Sequence, residues 1–141
     1  MIDNSKSDLQ ISEDILKFNT EADSDDYCLI CERLAESITL NLSFTESKVW
    51  HGSPVWFIDG NPIVGYSIQK PGVRLMFWSG VSFDEPDLKP GNGKFKDASI
   101  IYKNISEIDF NDLKLWLQKS EEIQWDYKNI VKRKGELIRL K

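Results

Sequence analysis

His51 is the sole histidine among 141 residues, and that count limits the chemistry at once. A two-histidine zinc site or a facial iron triad needs more imidazoles than one chain supplies. A serine–histidine–carboxylate arrangement would put every proton transfer on His51. The strand-to-helix turn G-x-S-x-G that presents a nucleophilic serine is absent. So are the phosphate loop G-x-x-x-x-G-K-[ST] and the dinucleotide fingerprint G-x-G-x-x-G. Gly91-Asn92-Gly93-Lys94 resembles a fragment of a phosphate cradle, but at this length it reads first as a loop-to-strand turn. An enzyme using His51 as acid–base therefore ranks last among the functions considered, and no catalytic residue is assigned.

Cys28 and Cys31 spell C-x-x-C. A redox pair stands partly exposed at a helix N-terminus, where its thiol pKa is depressed. Here the spacer is Leu29-Ile30, the pair falls inside a helix, and Cys31 projects from the apolar stripe. Two buried thiols of a cytosolic protein are expected. Asp25, Glu32 and Glu36 make a carboxylate stripe on the opposite side of that helix, at spacings of seven and four. Hard cations such as iron or calcium could bind weakly between such oxygens, and a solvated polar face is the plain alternative. No metal ligand and no cofactor are assigned.

The aromatic residues carry more information. Trp50, Trp56, Phe57, Phe77, Trp78 and Phe83 crowd the middle of the chain. Alternation sends Val55 and Phe57 to one face of a strand and Trp56 and Ile58 to the other. A sheet covered by helices on one side does not need large aromatics on both. The surplus marks either a second packed layer under a long loop or a ligand or partner surface. The ligand-binding candidates are Trp50, His51, Trp56, Trp78 and Lys94. Pro54 fixes the backbone beside the rings, Gly93 lets the loop approach, and Lys94 supplies one positive charge. An anionic or aromatic small molecule, or an acidic peptide, would suit a concavity lined by at least three of these five.

The elements that must position them follow from period and punctuation. Residues 1–22 read as an acidic, mobile lead-in in which Ile11, Ile15, Leu16 and Phe18 can dock one short helical turn. Ser24 or Asp23 caps a helix over about 24–38, with Tyr27, Cys31, Leu34 and Ile38 on one face. Strands are expected at Pro54 to Ile58, Ile63 to Gln69, Val73 to Ser79 and Lys96 to Tyr102, the first three as an antiparallel meander. Asp59-Gly60 and Pro71-Gly72 supply turns, and Asp84 to Lys94 is a loop by composition. Asp109 caps a helix over about 110–122, whose stripe could continue through Ile123, Tyr127, Ile130 and Val131. The fold class is α+β: an antiparallel sheet of about four or more strands flanked by N- and C-terminal helices, a two-layer sandwich. Leu34, Ile38, Leu75, Phe77, Ile101, Leu113 and Leu117 should be buried. Residues 23–141 form the single domain.

Composition sets the outer limits. With 40% hydrophobic and 29% charged residues, a chain of this size can bury a sufficient core without disulfide or metal. Its longest apolar run, Tyr27 to Cys31, is far below the roughly 20 residues of a membrane span. Met1 to Gln10 is polar and acidic, so no secretory signal is expected and the protein is placed in the cytoplasm. Net charge is −5, which argues against nucleic acid as a partner. Charge is uneven: eight carboxylates face Lys6 and Lys17 over 1–26, while 128–141 holds six basic side chains against Glu136. Acidic head and basic end can attract each other. Oligomeric state stays open.

Lys48-Val49-Trp50-His51-Gly52-Ser53-Pro54-Val55-Trp56, followed in order by Gly72-Val73-Arg74-Leu75-Met76-Phe77, Gly80 and Gly91-Asn92-Gly93-Lys94, resembles the YdhG-like family of small bacterial domains of unknown function. The resemblance covers about 24–120. His51 departs from the pattern by standing between the expected Trp and Gly. The resemblance implies a frataxin-like α+β sandwich, and some members carry the description of intracellular iron chaperone. It implies no enzymatic activity. The leading functional expectation is therefore a cytoplasmic, non-enzymatic domain that holds a small ligand or a protein segment at its aromatic surface. The alternative is frataxin-like iron binding through the acidic face of the first long helix.

Overall fold

Two dipeptides with left-handed backbone set the sheet. The structure is a computed structural model that describes residues 10–141. Between strands β1 (Glu46–Trp50) and β2 (Ser53–Ile58), His51 and Gly52 have φ of +53° and +85°. Between β2 and β3 (Asn61–Gln69), Asp59 and Gly60 have +51° and +83°. Both are two-residue hairpins with both central residues at positive φ, the turns whose twist matches paired strands. Lys70-Pro71 then joins β3 to β4 (Gly72–Phe77). After an excursion that contains a 3₁₀ turn over Gly80–Phe83 and the short β5 (Lys89–Pro90), β6 (Ala98–Tyr102) pairs with β4. The six strands lie in the order β1-β2-β3-β4-β6-β5, all antiparallel. The fold is α+β, as expected.

Among the described residues three α-helices, α1 (Glu13–Thr20), α2 (Asp25–Asn41) and α3 (Phe110–Glu122), accompany the sheet. Ser24 Oγ accepts the Tyr27 N–H at 3.1 Å, and Asp109 accepts the N–H groups of Asn111 and Asp112. Each cap satisfies donors that the first helical turn leaves open. The helices bury Ile30, Leu34, Ile38, Leu113, Trp116 and Leu117 against one sheet face. Cross-strand rows carry the matching surface: Trp56, Val64, Phe77 and Ala98 in one, Tyr66, Leu75 and Ile100 in the next. The indole N–H of Trp56 donates to Thr39 of α2 at 3.2 Å.

Three expectations are corrected. Ile101 is 40% exposed, because the register opposite Arg74 puts it on the face away from the helices. Residues 46–50 form an edge strand where none was expected. The folded body begins before residue 23: Ile15 of α1 is fully buried, and Asp14 Oδ2 accepts the Val49 N–H of β1 at 2.7 Å. That bond closes an outward-facing donor of the edge strand, a place where sheets otherwise recruit foreign chains. Of the lead-in expected to be mobile over 1–22, residues 1–9 lie outside the described residues.

The last helix has the bounds expected from the sequence, and the continuation left open beyond it does not form. The helical stripe stops at Glu122, and 123–141 folds back as an irregular loop in which Trp125 bridges to Arg139. Buried Asn61 organises it. Its amide donates to Trp125 O at 2.9 Å, and its carbonyl accepts the N–H groups of Tyr127 and Lys128. Trp125 N donates to Ser79 Oγ, and Asp126 takes hydrogen bonds from Asn129 and Arg133. These partners sit at the sheet's end and anchor the loop there, while backbone bonds such as Asp126 N–H to Ile138 O and Leu140 N–H to Gln124 O, both 2.7 Å, close it on itself. The basic end finds a carboxylate close by, in Asp126.

Candidate functional site

Alternate residues of the four central strands point away from the helices, and on that open face lies a concavity of about 170 Å³. Gly65 lies in its middle, opposite Val55 on one side and Met76 on the other. A Cβ on Gly65 would stand 2.4 Å from Pro54 O and 3.4 Å from the Trp78 ring. The missing side chain thus makes the hollow, and the Trp78 ring leans over it. Trp50 forms the far wall, its ring 6.3 Å from Trp78 and 5.4 Å from Phe57 by centroids. Val55 and Phe57 are buried beneath, which explains the aromatics on the second face. Trp50 lies over Phe57, and Lys48 places its ammonium 5.1 Å from the centre of the same ring.

Arg74 supplies the charge. Its Nε donates to Ser99 Oγ at 3.0 Å, and a guanidinium nitrogen lies 3.7 Å from Asp97 Oδ2 and 3.4 Å from Met76 Sδ. The head group is therefore held in place while still lining the concavity. Ser53 and Ser67 add hydroxyls to the wall. Apolar walls with a few fixed polar groups are the usual make-up of a small-molecule site, and a planar guanidinium suits a carboxylate or phosphate.

Of the five residues named from the sequence, the structure brings together Trp50, His51 and Trp78. His51 is exposed at the rim, its ring 4.3 Å from that of Trp50. No hydrogen bond or ion pair holds its imidazole among the described residues. Its left-handed φ shows it to be the first central residue of the hairpin turn, where histidine is among the tolerated types. Trp56 is corrected: it is wholly buried on the helix side, because alternation puts it opposite to Val55 and Phe57. Lys94 is corrected too: it lines a different concavity with Lys96, Trp125 and Lys134. Arg74, Gly65 and Met76 went unnamed, although a signal existed. An arginine at alternate positions with Met76 and Trp78 in an otherwise apolar strand marks a side chain sent to the less covered face.

The other candidate groups fall as follows. Glu32 and Glu36 each accept a hydrogen bond from Arg33 at 3.1 Å. Among the described residues no group of three or more His, Cys, Asp or Glu is arranged to hold a metal ion. Cys28 is half-buried and Cys31 buried, both as free thiols. Burial, with the neighbouring Cys28, pushes the Cys31 thiol up to about 12. No helix of the described residues is long and apolar enough to cross a membrane.

No protein-family model matches the sequence, and no curated protein does either. Among solved structures, the crystal structure of YdhG from Bacillus subtilis, a protein of the DUF1801 family, is similar. Identity is 12%, with 86% of this chain and 92% of that chain covered and a TM-score of 0.59. Helices packed on one face of an antiparallel sheet, over nearly the whole of both chains, make this a protein of YdhG-like fold.

Proposed function

We propose that the chain is a non-enzymatic binding domain that holds a small, flat, partly apolar ligand bearing an acidic group on the open face of its sheet. The observation that carries this reading is the Gly65 hollow between Trp50 and Trp78 with the tethered Arg74 at its side. A ring would lie in the hollow and a carboxylate would meet Arg74. At about 170 Å³ the space suits a single ring system, or one aromatic or acidic side chain of a protein segment. Arg74 replaces Lys94 as the cation of the site. The reading places the protein in the cytoplasm, supported by the free thiols of Cys28 and Cys31.

The test is a pair of probes, benzoate and indole, titrated against the tryptophan fluorescence of the wild type and of Arg74→Gln. Benzoate should bind the wild type and lose at least about tenfold in affinity on the substitution, while indole changes little. Equal loss for both probes, or no binding of either, would count against the reading.

A further inference from the structure

The four-residue turn Gly91-Asn92-Gly93-Lys94 has no part in the sheet-face cleft, and its lysine goes to a second concavity formed with the C-terminal loop. Lys94, Lys96, Trp125, Lys134, Gly135 and Glu136 line that space, which measures about 490 Å³. Lys96 Nζ lies 4.9 Å from the centre of the Trp125 ring, and the Arg139 guanidinium lies 5.9 Å from the same ring. Among the described residues none of Lys94, Lys96 and Lys134 has a carboxylate within ion-pair distance. The chain carries 23 acidic side chains and a net charge of −5, yet only Glu136 is placed in this wall. Unpaired like charges repel, so their convergence costs stability that a bound anion would return.

The backbone supports the arrangement. Lys134 and Gly135 have φ of +56° and +90°. Lys94 Nζ lies 3.4 Å from the point where a Cβ on Gly135 would stand, so glycine there serves both the turn and the approach of the ammonium. Lys96 is fixed at its root, because its N–H donates to Tyr127 Oη at 2.9 Å. The Phe95 and Tyr127 rings meet with 6.3 Å between centroids. The Trp125 indole is anchored by its N–H on Ser82 Oγ at 3.0 Å. Two chain segments far apart in sequence thus hold their cations around one rigid ring.

We infer that this concavity binds a multiply charged small anion of the phosphate class, such as an inorganic polyphosphate or a phosphorylated metabolite. Ammonium groups act as point charges toward phosphate oxygens and need no planar pairing. The Trp125 ring already has two cations close to it, so the charge of the ligand rather than a stacked ring is what the site recognises. Glu136 sets a requirement for more than one negative charge.

The test uses inorganic tripolyphosphate and the full-length chain labelled with nitrogen-15, at about 0.1 M salt to screen diffuse attraction. Saturable shifts are expected at the Trp125 indole N–H and the amides of 94–96 and 134–136. The combined Lys94→Gln, Lys96→Gln and Lys134→Gln variant should bind at least about tenfold more weakly. Should that variant fail to fold, the single Lys96→Gln and Lys134→Gln variants should each weaken binding in the same assay. Unsaturable shifts spread over Lys103, Lys114 and Lys128, or unchanged affinity in the variants, would overturn the inference. A single-stranded oligonucleotide that binds far more tightly than tripolyphosphate would overturn the small-anion class.

Discussion

The edge of the Trp78 ring lies 3.4 Å from the point where a Cβ on Gly65 would stand, and Pro54 O lies 2.4 Å from it. The same absent side chain opens the cleft and lets β2 and β3 sit at their observed distance. Gly65→Ala should therefore destabilise the fold by about 1–3 kcal/mol, the usual cost of overpacking, and also weaken benzoate binding. Urea unfolding of the variant checks the first part and fluorescence titration the second. An alanine variant with wild-type stability would show that β2 yields easily at Pro54.

Asp14 makes a separate prediction at the sheet edge. Its Oδ2 accepts the Val49 N–H at 2.7 Å, and its Oδ1 accepts from Ile15 N–H and the Ser12 hydroxyl. The Ser12 hydroxyl, helped by those N–H groups, holds the Asp14 carboxyl below its ordinary 3.8. Asp14→Ala should raise amide hydrogen exchange at Val49 while leaving the amides of β3 and β4 protected. Its cost in stability should be about 1 kcal/mol, since the bond is near solvent.

Asn61 and the C-terminal loop give a third. The residue is buried and serves three backbone groups of 125–128. Asn61→Ala should cost about 2–3 kcal/mol, because those groups lose their partner, and protease should then cleave within 123–141 first. Uniform resistance to cleavage would show the loop to be held by other contacts.

Much of this architecture was legible in local residue order, and the exceptions have one physical character. Asp59-Gly60, Ser24 and Asp109 act on neighbours in sequence, so the turn and both caps could be read directly. Strand β1 could not, because as an edge strand its Glu46, Ser47 and Lys48 meet solvent on one side and show no apolar alternation. Ile123, Tyr127 and Ile130 keep helical spacing, yet a buried amide more than sixty positions upstream captures the backbone of Trp125, Tyr127 and Lys128. For the site, Trp50, His51 and Trp78 were readable from the aromatic surplus. Trp56 was not separable from them, because its face depends on which side the helices take. Lys94 was misplaced for a like reason: its neighbours come from the C-terminal loop.

Acid should act through Asp126. Its carboxylate is nearly buried and receives Asn129 and, at 2.5 Å, Arg133. The Asn129 amide first, and then Arg133, hold its pKa below the ordinary 3.8. A carboxyl lowered on folding gives stability that is complete above the unfolded pKa and is lost as pH falls through the folded one. Stability measured by urea should thus decline below about pH 4, and Asp126→Asn should flatten that decline. An unchanged acid limb in the variant would assign the decline to other carboxyls.

The two thiols offer a reactivity test. Burial keeps Cys31 a neutral thiol, pushed up to about 12, while Cys28 is half-buried. An aromatic disulfide reagent should modify Cys28 in the native protein and Cys31 only on unfolding. Rapid reaction of both, or a Cys28–Cys31 disulfide formed without unfolding, would contradict the buried-thiol assignment.

The sheet-face cleft is the central claim, and chemical-shift mapping with benzoate tests it most directly. Saturable shifts are expected at the indole N–H groups of Trp50 and Trp78, at the Arg74 side-chain N–H, and at the Gly65 amide, with the Trp56 indole unmoved. Shifts centred on Trp125 and Lys94 instead, or none at the Gly65 hollow at saturating benzoate, would contradict it.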